Sequence, residues 1–298
     1  MDVDEPEEFI APWDGRRVPV TLIGGYLGSG KTTLLNDLLA RTDRPIALIV
    51  NDVGEINVDA ALLRRRSGDT IELTDGCVCC SMAQGLAAAL DDLRARPNAP
   101  DHLVIELSGV ADPTQVIPWG GSDGFRLDGV IVLIDAEAFV HQAKQPLLEP
   151  LLMRQLTAAD LLVVSKTDLV ESQTLQSVRT ELAARCPSVP VVESTDPAAG
   201  SILLSLGTRR PDGFDAGPPP SLFDPHETER VSLAQPTSID ELHHMLDGLR
   251  GNVVRAKAIA VDVDGRRLLV QQVGRRRRIS PLPAAEDQAP TDLVVVRL

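Results

Sequence analysis

The sequence predicts a doubly wound α/β domain with a mostly parallel sheet, followed by a small α+β unit. Three observations carry that expectation. Short apolar runs alternate with helix-length segments between residues 18 and 206, a glycine-rich loop follows the first run, and a Pro/Gly-rich stretch then separates this region from a differently patterned end. With 298 residues and 43% hydrophobic content, the chain can bury one sizeable core and a second, smaller one.

In chain order, residues 1–17 form an acidic tail. Asp2, Asp4, Glu5, Glu7, Glu8 and Asp14 fall in its first fourteen positions without one basic residue, so this stretch is not expected to act as a signal or transit peptide. The tail reads as disordered solvent-facing chain, with a docking peptide as the other reading. Strands are expected at 18–23, 45–50, 103–107, 130–134, 161–165 and 189–192, with helices at 33–41, 82–94, 147–157 and 172–185. Runs this apolar are buried on both faces, which requires a parallel sheet covered by helices. Residues 18–206 are therefore expected to form one P-loop NTPase-type domain, with its chemistry at the carboxyl ends of the strands.

Residues 207–229 read as a linker, since 207–226 holds five prolines and three glycines. The remaining 230–298 should form the α+β unit: a strand at 230–233, a helix at 239–249 capped by Ser238, and extended runs at 253–263, 267–273 and 293–298. Asp264-Gly265 is a hairpin signal between two of those runs. Four arginines at 275–278 read as an exposed strand end or edge that discourages aggregation, or else as a patch for an acidic partner. His243 and His244 are adjacent on the expected helix and point to different faces, so they read as solvated or core residues rather than ligands.

The net charge of -14 argues against nucleic acid or an anionic membrane as partner. No apolar stretch approaches the roughly twenty residues of a membrane span. A soluble, cytoplasmic protein is expected.

Gly25-Tyr26-Leu27-Gly28-Ser29-Gly30-Lys31-Thr32 is a complete Walker A loop between a strand and a helix, which predicts nucleoside triphosphate binding. Its glycines, Gly25, Gly28 and Gly30, let the backbone turn tightly and aim N–H groups, with Ser29, at phosphate oxygens. Lys31 should reach the terminal phosphates, Thr32 should ligate magnesium, and Thr33 continues the motif. Glu106 ends the 103–107 run in the place of a Walker B acid and is the second candidate magnesium ligand; Gly109 can offer its N–H to the terminal phosphate. Ser165-Lys166-Thr167-Asp168 stands where guanine-selective proteins carry Asn-Lys-x-Asp. A carboxylate at Asp168 pairs with the guanine N1–H and amine, which adenine lacks, and the stem of Lys166 can lie along the base. Asn51, Asp52, Gly54 and Glu55 follow the second strand, where a switch segment belongs. Asp52 is the better candidate to touch magnesium or orient the attacking water. No stimulating arginine declares itself, so slow intrinsic hydrolysis is expected.

Of four cysteines, Cys77, Cys79 and Cys80 crowd into four positions, and Cys186 stands alone at a helix end as a small buried apolar residue. Thiolates beside a helix N-terminus are soft donors suited to zinc or another late divalent metal. A redox pair and simple packing are the competing readings. Three thiolates leave one tetrahedral position for water, for an acid such as Glu55, or for a client's group.

The sequence 24–33, the segment Asn51-Asp52-Val53-Gly54-Glu55, the cluster Cys77-Val78-Cys79-Cys80 and Glu106-Leu107-Ser108-Gly109 together resemble the CobW-type metallochaperone GTPases, as does Asn252-Val253-Val254-Arg255-Ala256-Lys257 at the start of the carboxyl-terminal unit. The resemblance implies a GTPase using Mg2+, with Lys31, Asp52 and Glu106 in catalytic roles and Zn2+ or Co2+ held by Cys77, Cys79 and Cys80. It further implies a client metalloprotein as partner, with a homodimer as one possible assembly. Ser165 departs from the family's asparagine, and the linker's single His226 stands where relatives carry histidine-rich stretches. The alternative is a zinc- or nucleotide-responsive regulatory GTPase that acts by partner binding without metal transfer.

Overall fold

The computed structural model describes residues 12–42, 44–50, 70–72, 81–195, 227–249, 253–273, 276–281 and 291–297. Two sheets organise them. The first contains β1 (Val18–Gly25), β2 (Ile46–Val50), β3 (Thr70–Glu72), β4 (His102–Glu106), β5 (Phe125–Asp135), β6 (Leu161–Ser165) and β7 (Val191–Glu193), in the spatial order β3-β2-β4-β1-β5-β6-β7. Every pairing in it is parallel. Its helices are α1 (Lys31–Arg41), α2 (Ser81–Arg94), α3 (Ile117–Gly120), α4 (Phe139–Gln142), α5 (Glu149–Ala158) and α6 (Ser172–Arg185).

The two-residue alternation of each strand distributes its side chains between two apolar clusters. Leu22, Ile49, Ile105, Val132 and Val164 face Leu90 of α2, Leu152 of α5 and Leu182 of α6. Ile23, Leu48, Val104, Leu133 and Val163 face Leu34, Leu35 and Leu38 of α1. Burial on both faces is why these strands read as continuous apolar runs. Central strand β1 is flanked by β4 and β5 although α1 carries the chain away to β2. That reversal opens a crevice at the carboxyl ends of the strands, where an α/β sheet takes its ligands.

The second sheet has the order β11-β10-β9-β12-β8, from β8 (Glu227–Val231), β9 (Val253–Val261), β10 (Arg267–Val273), β11 (Arg276–Pro281) and β12 (Leu293–Arg297), and its pairings are antiparallel. Asp262 seats the β9–β10 turn by accepting N–H groups from Asp264 and Arg266 at 2.9 and 2.7 Å, with Gly265 at φ 77°. Helix α7 (Ile239–Gly248) begins in a full capping box: Ser238 Oγ accepts the Glu241 N–H, and the Glu241 carboxylate accepts the Ser238 N–H at 2.7 Å. Those bonds hold the Glu241 carboxyl below its ordinary pKa. Leu242 and Leu246 of α7 cover one face of the sheet, where Ala256, Ala258 and Ala260 let the helix approach closely. On the opposite face, Val296 joins the larger core of the first sheet, so the two sheets share apolar contact.

Two positions differ from the sequence expectation. Residues 12–15, read as part of the disordered tail, form a 3-10 turn with Trp13 edge-on to Phe125. The first strand of the second sheet starts at Glu227, inside the range read as linker. The arginine run enters edge strand β11, in line with its reading as a strand edge, and Arg277 and Arg278 point to opposite faces because successive strand side chains alternate.

Candidate functional site

Strand β1 delivers the Walker A loop at Gly25, whose φ of 129° lies in glycine territory. A Cβ there would stand 2.5 Å from the Leu133 carbonyl oxygen and 2.8 Å from Ser29 Oγ. The loop closes on a Ser29 N–H to Tyr26 carbonyl bond of 3.1 Å, with Gly28 and Gly30 at φ 78° and 92°. Gly30 then caps α1, whose first residue is Lys31. The Lys31 ammonium is almost fully buried and donates to the Gly25 carbonyl at 2.8 Å.

Parallel register pairs Ile23 with Glu106, which sets the last carboxylate of β4 one strand away from the loop. Thr32 Oγ1 donates to Glu106 Oε1 at 3.1 Å, and Glu106 is only 3% exposed. A hydroxyl and a buried carboxylate side by side are hard oxygen donors, which fits magnesium. Gly109 lies against the loop so closely that a Cβ would come within 2.6 Å of Leu27 Cδ2 and 2.7 Å of the Leu27 nitrogen. Gln155 of α5, which the sequence reading did not single out, fixes that approach by donating to the Gly109 and Ala111 carbonyls at 3.2 and 3.0 Å.

Ser165 also has a defined task. Its hydroxyl is within hydrogen-bond distance of the Ser29 carbonyl at 2.7 Å and the Ile134 carbonyl at 3.1 Å, tying the end of β6 to the Walker A loop. Lys166 follows with φ 58°, and its ammonium sits 2.5 Å from Asp135 Oδ2 at the end of β5. Asp135 is a second residue missed from sequence, although a carboxylate ending an apolar strand was the available signal. Asp168 lies exposed in the turn Thr167–Leu169, between Lys166 and Leu169, which both line the main cleft.

That cleft has a volume of about 890 Å³. Gly28, Gly30, Lys31, Thr32, Thr33 and Glu106 form its floor, and Asn36, Asp37 and Ala40 extend it along α1. The far wall comes from the second sheet, through Arg255, Leu269, Gln271, Arg277 and Arg278. Nothing in the sequence put these residues beside the Walker A loop, because the contact depends on how the two sheets pack.

Asp52, Glu55, Cys77, Cys79 and Cys80 lie outside the described residues. Among the described residues no group of three His, Cys, Asp or Glu side chains could hold a metal ion. Their flanking elements are described: β2 ends at Val50, which is paired with Glu106, and α2 starts at Ser81. Cys186 is buried after α6, and burial raises its thiol pKa. No described helix is long and apolar enough to cross a membrane.

Comparison with known proteins gives a consistent result. The model of the CobW/HypB/UreG nucleotide-binding domain matches residues 19–193. The zinc chaperone CobW of a Sinorhizobium species is 34% identical over an alignment of 308 residues, covering 87% of this chain and 86% of that protein. The zinc chaperone CobW of Pseudomonas aeruginosa is 31% identical, with 94% and 87% covered. The zinc chaperone YjiA of Escherichia coli K12 is 32% identical, with 87% and 86% covered.

Proposed function

The chain belongs to the CobW/HypB/UreG family, and from that premise we propose that it is a GTP-hydrolysing metallochaperone whose cargo is zinc, with cobalt as the alternative. The observation that carries the nucleotide half is the joined set of Lys31, Thr32 and buried Glu106, tied through Ser165 to the loop that holds Lys166. The relatives' description as zinc chaperones supports the cargo.

In this reading the Walker A backbone N–H groups hold the phosphates, and Lys31 leaves the Gly25 carbonyl to neutralise their terminal charge. Thr32 and Glu106 hold magnesium, which supplies charge stabilisation for the leaving phosphate oxygens. Gly109 offers its N–H to the terminal phosphate, and Asp52 orients the attacking water. Asp168 selects guanine from the cleft rim. Cys77, Cys79 and Cys80 hold the cargo metal, with Glu55 as candidate fourth ligand. GTP orders the segment around Asp52 to Glu55 and so completes the metal site, and hydrolysis releases the metal to a client metalloprotein. The domain limits that go with this reading are 18–206 for the GTPase, 207–229 for the linker and 230–298 for the carboxyl-terminal unit.

Zinc affinity measured by chelator competition with magnesium, and with either a non-hydrolysable GTP analogue or GDP, tests the proposal. Much tighter zinc binding with the analogue, abolished by Cys79→Ser, is the expected result. Equal affinity in both nucleotide states would overturn the gating and favour a regulatory GTPase that acts by partner contact.

A further inference from the structure

The far wall of the cleft carries positive charge in a chain whose net charge is -14. Register explains which side chains point there. Gln271 pairs with Lys257 on one side and Arg278 on the other, while Leu269 pairs with Ile259, and Val296 of β12 pairs with Arg255. Arg255, Lys257, Leu269, Gln271 and Arg278 therefore share one face of the second sheet, opposite the face that α7 covers. Arg277 also borders the cleft, but its guanidinium turns to the α7 side, where it bonds Asp247, the Leu246 carbonyl at 3.1 Å and Gln272 at 3.0 Å and braces the helix. Arg278 has the other orientation and lines the cleft with Arg255.

A polyanion lying between Arg255 and Arg278 of this face and the opposing wall of the cleft meets cationic groups on both sides. That opposing wall is the Walker A floor of Gly28, Lys31 and Thr32. A guanidinium matches a phosphate with two parallel N–H bonds, which an ammonium cannot do.

We propose that Arg255 and Arg278 of the second sheet contact the phosphates of the bound guanine nucleotide, so that the nucleotide bridges the two sheets and its occupancy is read directly by the carboxyl-terminal unit. The proposal rests on the nucleotide reading of the Walker A site and adds a second wall to it. The wall supplies cationic groups from the same chain, at the place where the sequence declared none.

Nucleotide affinity in the full-length protein tests this, using fluorescent GTP, GDP and GMP analogues with wild-type protein, Arg255→Ala, Arg278→Ala, the double Ala variant and the double Lys variant. Each Ala change should weaken GTP binding by about tenfold at low salt, GDP binding by less, and GMP binding least. The double Ala variant should flatten the dependence of affinity on salt, and the double Lys variant should recover part of the loss. Circular dichroism and thermal unfolding establish that the variants are folded; the Lys pair keeps the test decisive if an Ala variant is not, because unchanged GTP affinity in the Lys pair would then reject the bidentate contact. Wild-type GTP affinity in the folded double Ala variant would overturn the proposal while leaving the Walker A reading intact, as would an equal loss for all three nucleotides. Failure of the wild-type protein to bind GTP would overturn the nucleotide reading and this proposal together.

Discussion

His102 shows how one side chain at the closed end of the sheet sets a condition on the whole fold. It opens β4, is 1% exposed, and its Nε2 is 2.8 Å from the Thr21 hydroxyl in a hydrogen bond. Its Nδ1 meets no hydrogen-bonding group among the described residues. Burial lowers its pKa to about 4 from the ordinary 6.5; Asp128 opposes that effect, and Arg44 and Arg126 reinforce it. The neutral imidazole is thus the folded form, while the unfolded chain takes up a proton near pH 6.5. Between those values the unfolded state binds more protons, so stability is full above about pH 6.5 and falls with pH toward 4. From pH 7 to pH 5 this site should remove about 2 kcal/mol. Urea unfolding across that interval should show the loss, and His102→Gln should remove most of the slope; an unchanged slope would reject the assignment. The sequence offered no hint of this, because a histidine at a strand start looks the same whether its neighbours bury it or leave it wet.

At the scale of elements, the outline of the first sheet was legible and several of its joints were not. Strands buried on both faces declare themselves as apolar runs, and the loop at Gly25–Thr32 declares itself by spacing. Thr32 and Glu106 could be paired from sequence because consecutive motifs of a parallel sheet end at one edge. One-turn helices α3 and α4 escaped, since four residues with Pro118 or no periodicity carry no helical signal. Strand β11 was legible only as an arginine-rich strand edge, without its extent, because an arginine run hides the alternation that marks a strand. Ser165 illustrates the limit in another way. It departs from the family's asparagine, yet its hydroxyl reaches the Ser29 carbonyl at 2.7 Å and joins β6 to the Walker A loop. Ser165→Ala should therefore cost about 1–2 kcal/mol of stability and, by loosening one loop against the other, weaken guanine-nucleotide binding by roughly three- to tenfold. Urea unfolding paired with GDP titration checks both. Lost stability with unchanged GDP affinity would reduce Ser165 to a packing role.

For the whole molecule, the strands that lead into the two candidate segments, β2 and β3, end at the same carboxyl edge of the sheet as Glu106. Val50, the last residue of β2, is paired with Glu106, and the chain leaves it directly for the segment holding Asp52 and Glu55. Strand β3 beside β2 ends at Glu72, and the cysteine segment fills the interval before α2 begins at Ser81. Both candidate segments thus depart from the same edge of the sheet that carries the Walker A loop. Under the proposed function, any preference of the zinc-loaded state for GTP must run through this shared edge, and thermodynamic linkage makes it reciprocal. If GTP tightens zinc by a given factor, zinc must tighten GTP by that same factor; a coupling of about 1–3 kcal/mol would appear as roughly five- to 150-fold in each. Titrating a GTP analogue with and without saturating zinc, beside the zinc titrations with analogue or GDP, closes the cycle. Analogue affinity that ignores zinc, in a protein whose Cys77, Cys79 and Cys80 are fully metallated, would separate the two sites energetically and leave the shared edge a matter of topology alone.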